Sequence, residues 1–567
     1  MCMVGPDLGL GNRDGYGLGI GDGVDADGDV HATTGPGRGR ADDSDQPQQP
    51  ASGDIAQRQN RIRFGLGLGV GFSLRIVLGL GLGNGNRNGL GFGLGVRQNP
   101  VLWEPTRTAY DQEQRSMRIL LVSHGFPPAN LGGTEIYTRD LAVAFREEVG
   151  DEVVVLTREA DASRPEYELR SGEVAGIPVR WVNNTFARCR SFAETYRNPA
   201  IREVGARVLD EVSPDVCHIQ HLTCLSTELV DELARRGIPT VMTLNDYWLL
   251  CHRGQLLNLR LQRCDGPDAG CGPCIAEHAG HGRVGFTAAA ALRAVDRGLP
   301  AFLAGPLRSL AVRAASRLVQ CDLAEGESES RRAHMLELTG KVSRLLAPSN
   351  TLREHFLAFG VEPERIVRVQ QGLDHAPFSS VAPAGSAAPR FGFLGSMMES
   401  KGAHVLLEAF SGLREGSASL HIFGGFADYH GDDSFRHRVA SWLDQPGVVV
   451  HGPVPHERVA EAFSAFDVLV VPSIWLENAP FVIREAFVAG RPVVTSDIGG
   501  MAELVEHEVC GLRCAPGDVA ALGETLQRFV DEPDLLIRLQ AGIPQMMTIA
   551  DDARQLRAMY EEIAASP

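Results

Sequence analysis

The sequence predicts an α/β protein: two doubly wound parallel-sheet units in succession, behind a glycine-rich extension. Three observations carry this. From Met117 onward, short continuous apolar runs alternate with helical stretches, as for strands buried on both faces. The alternation runs through two rounds of about 200 residues each, a domain-sized length. Within the first, from Cys251 to about Lys341, it breaks into a Cys-rich and then an Ala/Arg-rich stretch.

The elements follow in order. The first hundred residues hold 25 of the 64 glycines, an Asp/Gly run at Gly21 to Asp29 and a polar QPQQP patch. Such composition buries too little apolar surface to offset its ordering entropy, so residues 1–116 are expected to be disordered. Met117 stands where the first well-patterned strand begins, and the working enzyme is expected to start there. Arg118 to Ser123 (RILLVS) is that strand, followed by the loop PPANLGG and a helix from Thr134 to Phe145. Strands follow at Val153 to Thr157, Asp215 to Gln220 and Thr240 to Leu244. The pattern resumes with RLLAPS at Arg344, then RFGFLGS at Arg390. Further strands are read at Leu420 to Phe423, Val448 to Val450, Val468 to Val471 and Pro492 to Ser496. The expected boundaries are 117–345 for the first domain, 346–545 for the second, and 546–567 for a closing segment with a helix from Ala553 to Ala564.

The chain is 567 residues long, 44% hydrophobic and 22% charged, with a formal net charge of -17. That acidity argues against nucleic-acid backbone as a partner, which demands clustered Lys and Arg. The amino terminus lacks a basic segment followed by an apolar one, and no run reads as a membrane span. A cytoplasmic, reducing setting is therefore expected for the eleven cysteines.

Ligands in open α/β sheets lie at the carboxyl ends of the strands. Three constellations sit there. Gly132-Gly133 follows the first strand, where a tight turn and a helix amino terminus suit close approach of an anion; a bare turn is the alternative. Lys401 lies in a glycine-bounded loop, Gly395 to Gly402, placed to meet a diphosphate; a solvated surface lysine is the alternative. In the segment PSIWLENAPFVIREAFVAGRP, Glu477 lies in a loop and Glu485 within a short helix opened by Pro480 and closed by Gly490. Ionised carboxylates accept hydrogen bonds only, so this pair suits vicinal hydroxyls of a sugar or ribose. The alternative is that Glu477 stabilises the helix amino terminus.

Cys251, Cys264, Cys271 and Cys274 form a C-x12-C-x6-C-x2-C pattern ending in CGPC. The spacing predicts a structural Zn²⁺ site, with disulfides, an iron–sulfur site or free thiols as alternatives. Between Phe286 and Gln320, five arginines on an Ala/Leu-rich background read as a solvated helix face, with peripheral contact to anionic lipid as the alternative.

The Glu477–Glu485 segment resembles the E-x7-E signature of the family 4 glycosyltransferases, which have the two-domain GT-B fold. SHGFPPANLGGTEIYTRDLA, APSNTLREHFLAFGVEPERIVRVQQGLD, FLGSMMESKGAHVLLEAF, HGPVPHERVAEAFSAFDVLVVPS and SDIGGMAELVEHEVCGLRCAPGD match the same family in the same order. The resemblance implies two Rossmann-like domains facing a cleft, acceptor bound by the first and nucleotide sugar by the second. It implies a retaining transfer from a UDP- or GDP-linked sugar to a glycan or lipid-linked acceptor, with no metal required. Glu485 would hold the ribose hydroxyls. Glu477, with the backbone of Asn478, Ala479, Pro480 and Phe481, would face the donor sugar. Lys401 would neutralise the departing diphosphate, Gly132 and Gly133 would admit acceptor and phosphates, and Asp246 would join Lys401 and Glu477 as a catalytic residue. The chain departs from the family pattern at Ser396, where Arg is frequent, and at Asn245, where His is common. A nucleotide-sugar epimerase on the same fold and a non-catalytic nucleotide-sugar sensor are the competing readings.

Overall fold

The computed structural model describes residues 115–267, 271–279, 321–382, 385, 388–427 and 434–565. The glycine-rich extension and most of the Ala/Arg-rich stretch lie outside these residues.

Two parallel sheets organise the chain. The first has eight strands: β1 (Arg118–Ser123), β2 (Glu152–Glu159), β3 (Leu169–Val174), β4 (Ile177–Asn183), β5 (Val216–Ile219), β6 (Thr240–Thr243), β7 (Arg344–Ala347) and β8 (Ile366–Arg368). Their order is β3-β4-β2-β1-β5-β6-β7-β8. The second has six: β9 (Arg390–Leu394), β10 (Ser419–Phe423), β11 (Val448–Gly452), β12 (Val468–Val471), β13 (Val493–Ser496) and β14 (Gly511–Cys514), ordered β11-β10-β9-β12-β13-β14. Every pairing is parallel except β3 with β4. In both sheets the strand order reverses beside the first strand, between β1 and β5 and between β9 and β12. Such reversals open crevices for ligands at the strands' carboxyl ends.

The aliphatic runs become strands because both faces are covered. In β1, every residue from Ile119 to Ser123 is fully buried. Helix ends are set by local chemistry. Asn198 caps the Pro199–Val212 helix by accepting from Ala200 and Ile201 N–H, with proline at the first position. Ser349 caps Asn350–Phe359, which ends on left-handed Gly360.

Two features lie beyond the sequence-level elements. The β3–β4 hairpin, turning at Ala175 and Gly176, adds an antiparallel edge. The first sheet also runs past residue 345: the Asn350–Phe359 helix and β8 continue it to Arg368, because β8 pairs with β7. The closing helix spans Ile549–Ala565 and lies against the first sheet. Its Ala553, Leu556, Met559 and Tyr560 share a core with Ile119, Leu121, Tyr137 and Phe145. Tyr560 Oη meets His218 Nδ1 at 2.5 Å, and Arg557 pairs with Asp151 at 2.8 Å.

Candidate active site

At the carboxyl end of β9 the loop turns back through a short 3-10 turn, Glu399–Lys401. It can do so because Gly402 has a φ of +71° and lies so close to Pro472 that a Cβ would sit 1.9 Å from the Pro472 carbonyl oxygen. That contact joins the lysine loop to the loop after β12. Lys401 Nζ reaches Glu477 Oε1 at 2.5 Å. The same oxygen accepts from Ser473 Oγ at 2.9 Å and Trp475 Nε1 at 3.0 Å. Among the described residues, no hydrogen bond is made to Glu477 Oε2. A buried carboxylate is thus held by one oxygen while the other can take a hydroxyl.

Gly500, just after β13, fixes the height of this loop. Its N–H donates to the Glu477 carbonyl at 2.8 Å, and a Cβ there would lie 1.2 Å from Asn478 O. Asn478 is buried and its side chain is committed elsewhere. Nδ2 donates to Leu244 O at 2.8 Å, and Oδ1 accepts from Ser349 Oγ at 2.8 Å. Only its backbone remains for a ligand. Ala479 is buried, and Pro480 precedes the Phe481–Val488 helix as its extended cap rather than its first helical residue. The Phe481 ring packs against Tyr137, 5.4 Å between centroids, and under Gly133. Its side chain therefore joins the E-x7-E helix to the Gly133–Ala144 helix.

Glu485 is half-buried. Burial, reinforced by the nearby Asp140 carboxylate, pushes its carboxyl up to about 7. Glu477 and Glu485 thus differ in kind: the first is paired with a cation, the second is poised near neutrality. Ser396, where Arg is frequent in the family, is exposed.

Gly132 caps the Gly133–Ala144 helix in an extended conformation without any side-chain bond. The helix start follows β1 directly, and a positive helix end of this kind suits phosphate. Gly133 serves packing as well: a Cβ there would lie 3.0 Å from Phe481.

Asp246, after β6, accepts from His221 Nε2 at 3.1 Å and from the Trp248 N–H at 2.7 Å. Burial pushes its pKa up, but His221, the Trp248 amide and His124 together outweigh it and hold the carboxyl below its ordinary value. Asn245 is turned into the protein. It donates to Gln220 O at 2.9 Å and accepts from Gln371 Nε2 at 3.1 Å. Gln371 O in turn accepts from buried Arg484 at 3.3 Å. Asn245 therefore bridges β5, the segment after β8 and the E-x7-E helix, a role that its amide's paired donor and acceptor permit. Sequence reasoning missed His124, Glu135, His221, Ser473, Trp475 and Gly500. The SHG, HIQH and SIW stretches held the signal, but histidines and glycines beside strands are common.

Among the described residues, no group of three or more His, Cys, Asp or Glu is placed to hold a metal. None of Cys251, Cys264, Cys271 and Cys274 is in a disulfide. Burial raises the Cys251 and Cys274 thiols above their ordinary value. Cys251 and Cys264 pack against the first core as small apolar groups. Among the described residues, no helix is long and apolar enough to cross a membrane. The lipid-contact reading of 286–320 falls outside them.

Two family profiles match. Residues 132–267 match the glycosyl transferase 4-like domain, and residues 388–532 match glycosyl transferases group 1. A glycogen synthase of Mycobacterium tuberculosis is 30% identical over 228 residues, 39% of this chain and 53% of that protein. The amylovoran biosynthesis glycosyltransferase AmsK of Erwinia amylovora is 27% identical over 289 residues, 48% of this chain and 70% of that protein. The chain thus spans about half the length of the glycogen synthase it matches. Among solved structures, Anabaena HepE in complex with UDP and glucose aligns with a TM-score of 0.51 at 15% identity, over 78% of this chain and 99% of that one. Sucrose-phosphate synthase from Thermosynechococcus elongatus aligns at 0.54 and 18% identity, over 79% and 99%. At these identities the likeness carries the fold.

Proposed function

We propose, from the premise that this chain belongs to the family 4 glycosyltransferases of GT-B fold, that it moves a sugar from a nucleoside-diphosphate sugar to a glycan, polysaccharide or lipid-linked acceptor with retention of configuration. The observation that carries the reading is the Lys401–Glu477 pair, locked at 2.5 Å between two strand ends, with Glu485 on the helix that follows. A departing diphosphate develops charge that a preformed cation stabilises without reorganisation. Glu477 holds Lys401 in place and offers its second oxygen to a donor-sugar hydroxyl. Glu485 accepts from the ribose hydroxyls. The amides at Gly133 face the phosphates from the other sheet, and the first domain takes the acceptor. The UDP and glucose bound by HepE support a nucleotide-sugar ligand for this fold.

The test is calorimetric titration of the full chain with UDP, GDP and ADP, repeated with Glu485→Ala. Binding of one diphosphate, weakened at least tenfold in the variant, is the expected outcome. Binding of none would overturn the donor-site reading.

A further inference from the structure

Beyond the donor groups, four ionisable side chains gather at the carboxyl ends of β1, β5 and β6. His124 follows β1, Glu135 lies in the first turn of the Gly133–Ala144 helix, His221 follows β5, and Asp246 follows β6. His124 Nε2 lies 3.2 Å from Glu135 Oε1. The His124 and His221 rings are in contact, tilted with centroids 4.5 Å apart. Both histidines are thus paired with a carboxylate, and the two pairs touch at the reversal point of the first sheet.

The hydrogen bonds of His221 fix its tautomer. Nδ1 accepts from the Thr223 N–H at 3.0 Å, so the ring proton is on Nε2 and is donated to Asp246 Oδ1. With its Nδ1 lone pair engaged, His221 is poorly placed to take a proton from a substrate. It is well placed to orient a carboxylate. Asp246 Oδ1 receives both His221 and the Trp248 amide, while Oδ2 accepts no hydrogen bond among the described residues. Beside Oδ2 lies Gly254, whose φ is +76° and where a Cβ would stand 2.9 Å from that oxygen. The missing side chain leaves a notch at the free oxygen, and the Asp246 side chain stays 22% exposed.

We propose that this notch is where the attacking hydroxyl of the acceptor docks, donating to Asp246 Oδ2, and that His221 is the positioning residue that aims the carboxylate. The proposal rests on the transferase reading above. Backed by the His124–Glu135 pair, His221 keeps Asp246 ionised and in one orientation, so the acceptor oxygen is held on the first-domain side of the cleft. The charged groups around Asp246 are His221 after β5, His124 after β1 with Glu135 behind it, and Arg331 from the Cys321–Lys341 helix.

The experiment uses water as the smallest acceptor. Hydrolysis of UDP-, GDP- and ADP-glucose by the full chain is followed across pH for wild type, His221→Phe, His221→Gln and Gly254→Ala, with diphosphate titration as the check on fold and donor site. His221→Phe should bind diphosphate like wild type yet hydrolyse about ten- to a hundredfold more slowly, the loss of one charge-assisted hydrogen bond. Its acid limb should move to higher pH, since Asp246 loses a donor while its burial persists. His221→Gln, which keeps a donor, should restore part of the rate. Gly254→Ala should lose turnover with diphosphate binding intact. Equal rates and pH profiles in wild type and His221→Phe would overturn the proposal. Failure of the wild type to bind any diphosphate would instead bring down the donor reading on which it rests.

Discussion

Gly500→Ala separates the geometry of the donor loop from its composition, because it changes none of the proposed ligand side chains. The added Cβ would lie 1.2 Å from Asn478 O and 2.3 Å from the carbonyl carbon. Ordinary carbon–oxygen contact is about 3.3 Å, so loop and helix must part by roughly 2 Å. That breaks the 2.8 Å bond from Gly500 N to Glu477 O. It also strains both bonds of buried Asn478, to Leu244 and Ser349. One lost hydrogen bond and one or two buried groups left unsatisfied amount to about 2–5 kcal/mol. At roughly 2–4 °C per kcal/mol for domains of this size, the Tm should fall by about 5–15 °C. Glu477 would move away from Lys401, and a 1 Å misplacement at a reacting centre costs about a hundredfold in rate. Calorimetry of unfolding and of diphosphate binding reads both effects. Gly490→Ala is the control: it sits at a φ of +69° with nothing within 4 Å of the added Cβ. It should cost about 1–2 kcal/mol of backbone strain and leave diphosphate affinity unchanged. Wild-type Tm and affinity in Gly500→Ala would refute the reasoning.

Other outcomes follow from the same geometry. Lys401→Met should lower transfer by about a hundredfold or more while weakening diphosphate binding less, because the charge it meets grows as the bond breaks; equal losses in both would contradict this. Glu485 has a folded value of about 7, above its unfolded one near 4.3, so its contribution to stability is fully present below the unfolded value and is lost as pH rises through the folded one. Ribose hydroxyls favour the ionised form, so diphosphate affinity should rise from about pH 6 to pH 8 with proton release, and Glu485→Gln should flatten that profile. Asp552 is pushed to about 6 by burial, against the Gly372 amide, the Tyr137 hydroxyl and Arg484. Its contribution is likewise lost as pH rises through about 6, and Tyr137→Phe should destabilise by about 1–2 kcal/mol, more at pH 8 than at pH 5. A pH-independent effect in chemical denaturation would count against that account.

Much of the fold was legible because its strands are continuous apolar runs, which serve when helices cover both faces of a sheet. β1, β5, β6 and β9 to β13 all fall on runs that the pattern marks. The β3–β4 hairpin was not marked, because β3 is largely exposed and its residues, LRSGEV, carry no alternation strong enough to show. The extension of the first sheet to β8 was hidden for another reason: a three-residue strand has too few positions to display a period. At the site, Lys401, Glu477 and Glu485 stood out through spacing in a known signature. For the four cysteines, spacing along the chain limits but does not assign where the thiols sit relative to one another.

The chain's order of strands, helices and glycine turns, and with it the family resemblance and the donor-side residue types, is determined locally by residue chemistry that can be read along one dimension. The tertiary structure decided which atoms are spent and which are left over. It turned Asn245 and the Asn478 side chain inward as bridges and paired Lys401 with one oxygen of Glu477. It also brought His124 and Glu135 together with His221 and Asp246, from two separate stretches of the chain. Parallel sheets bring this about, because each strand delivers its final residue to the same edge, and neighbours on that edge are set by strand order rather than by distance along the chain.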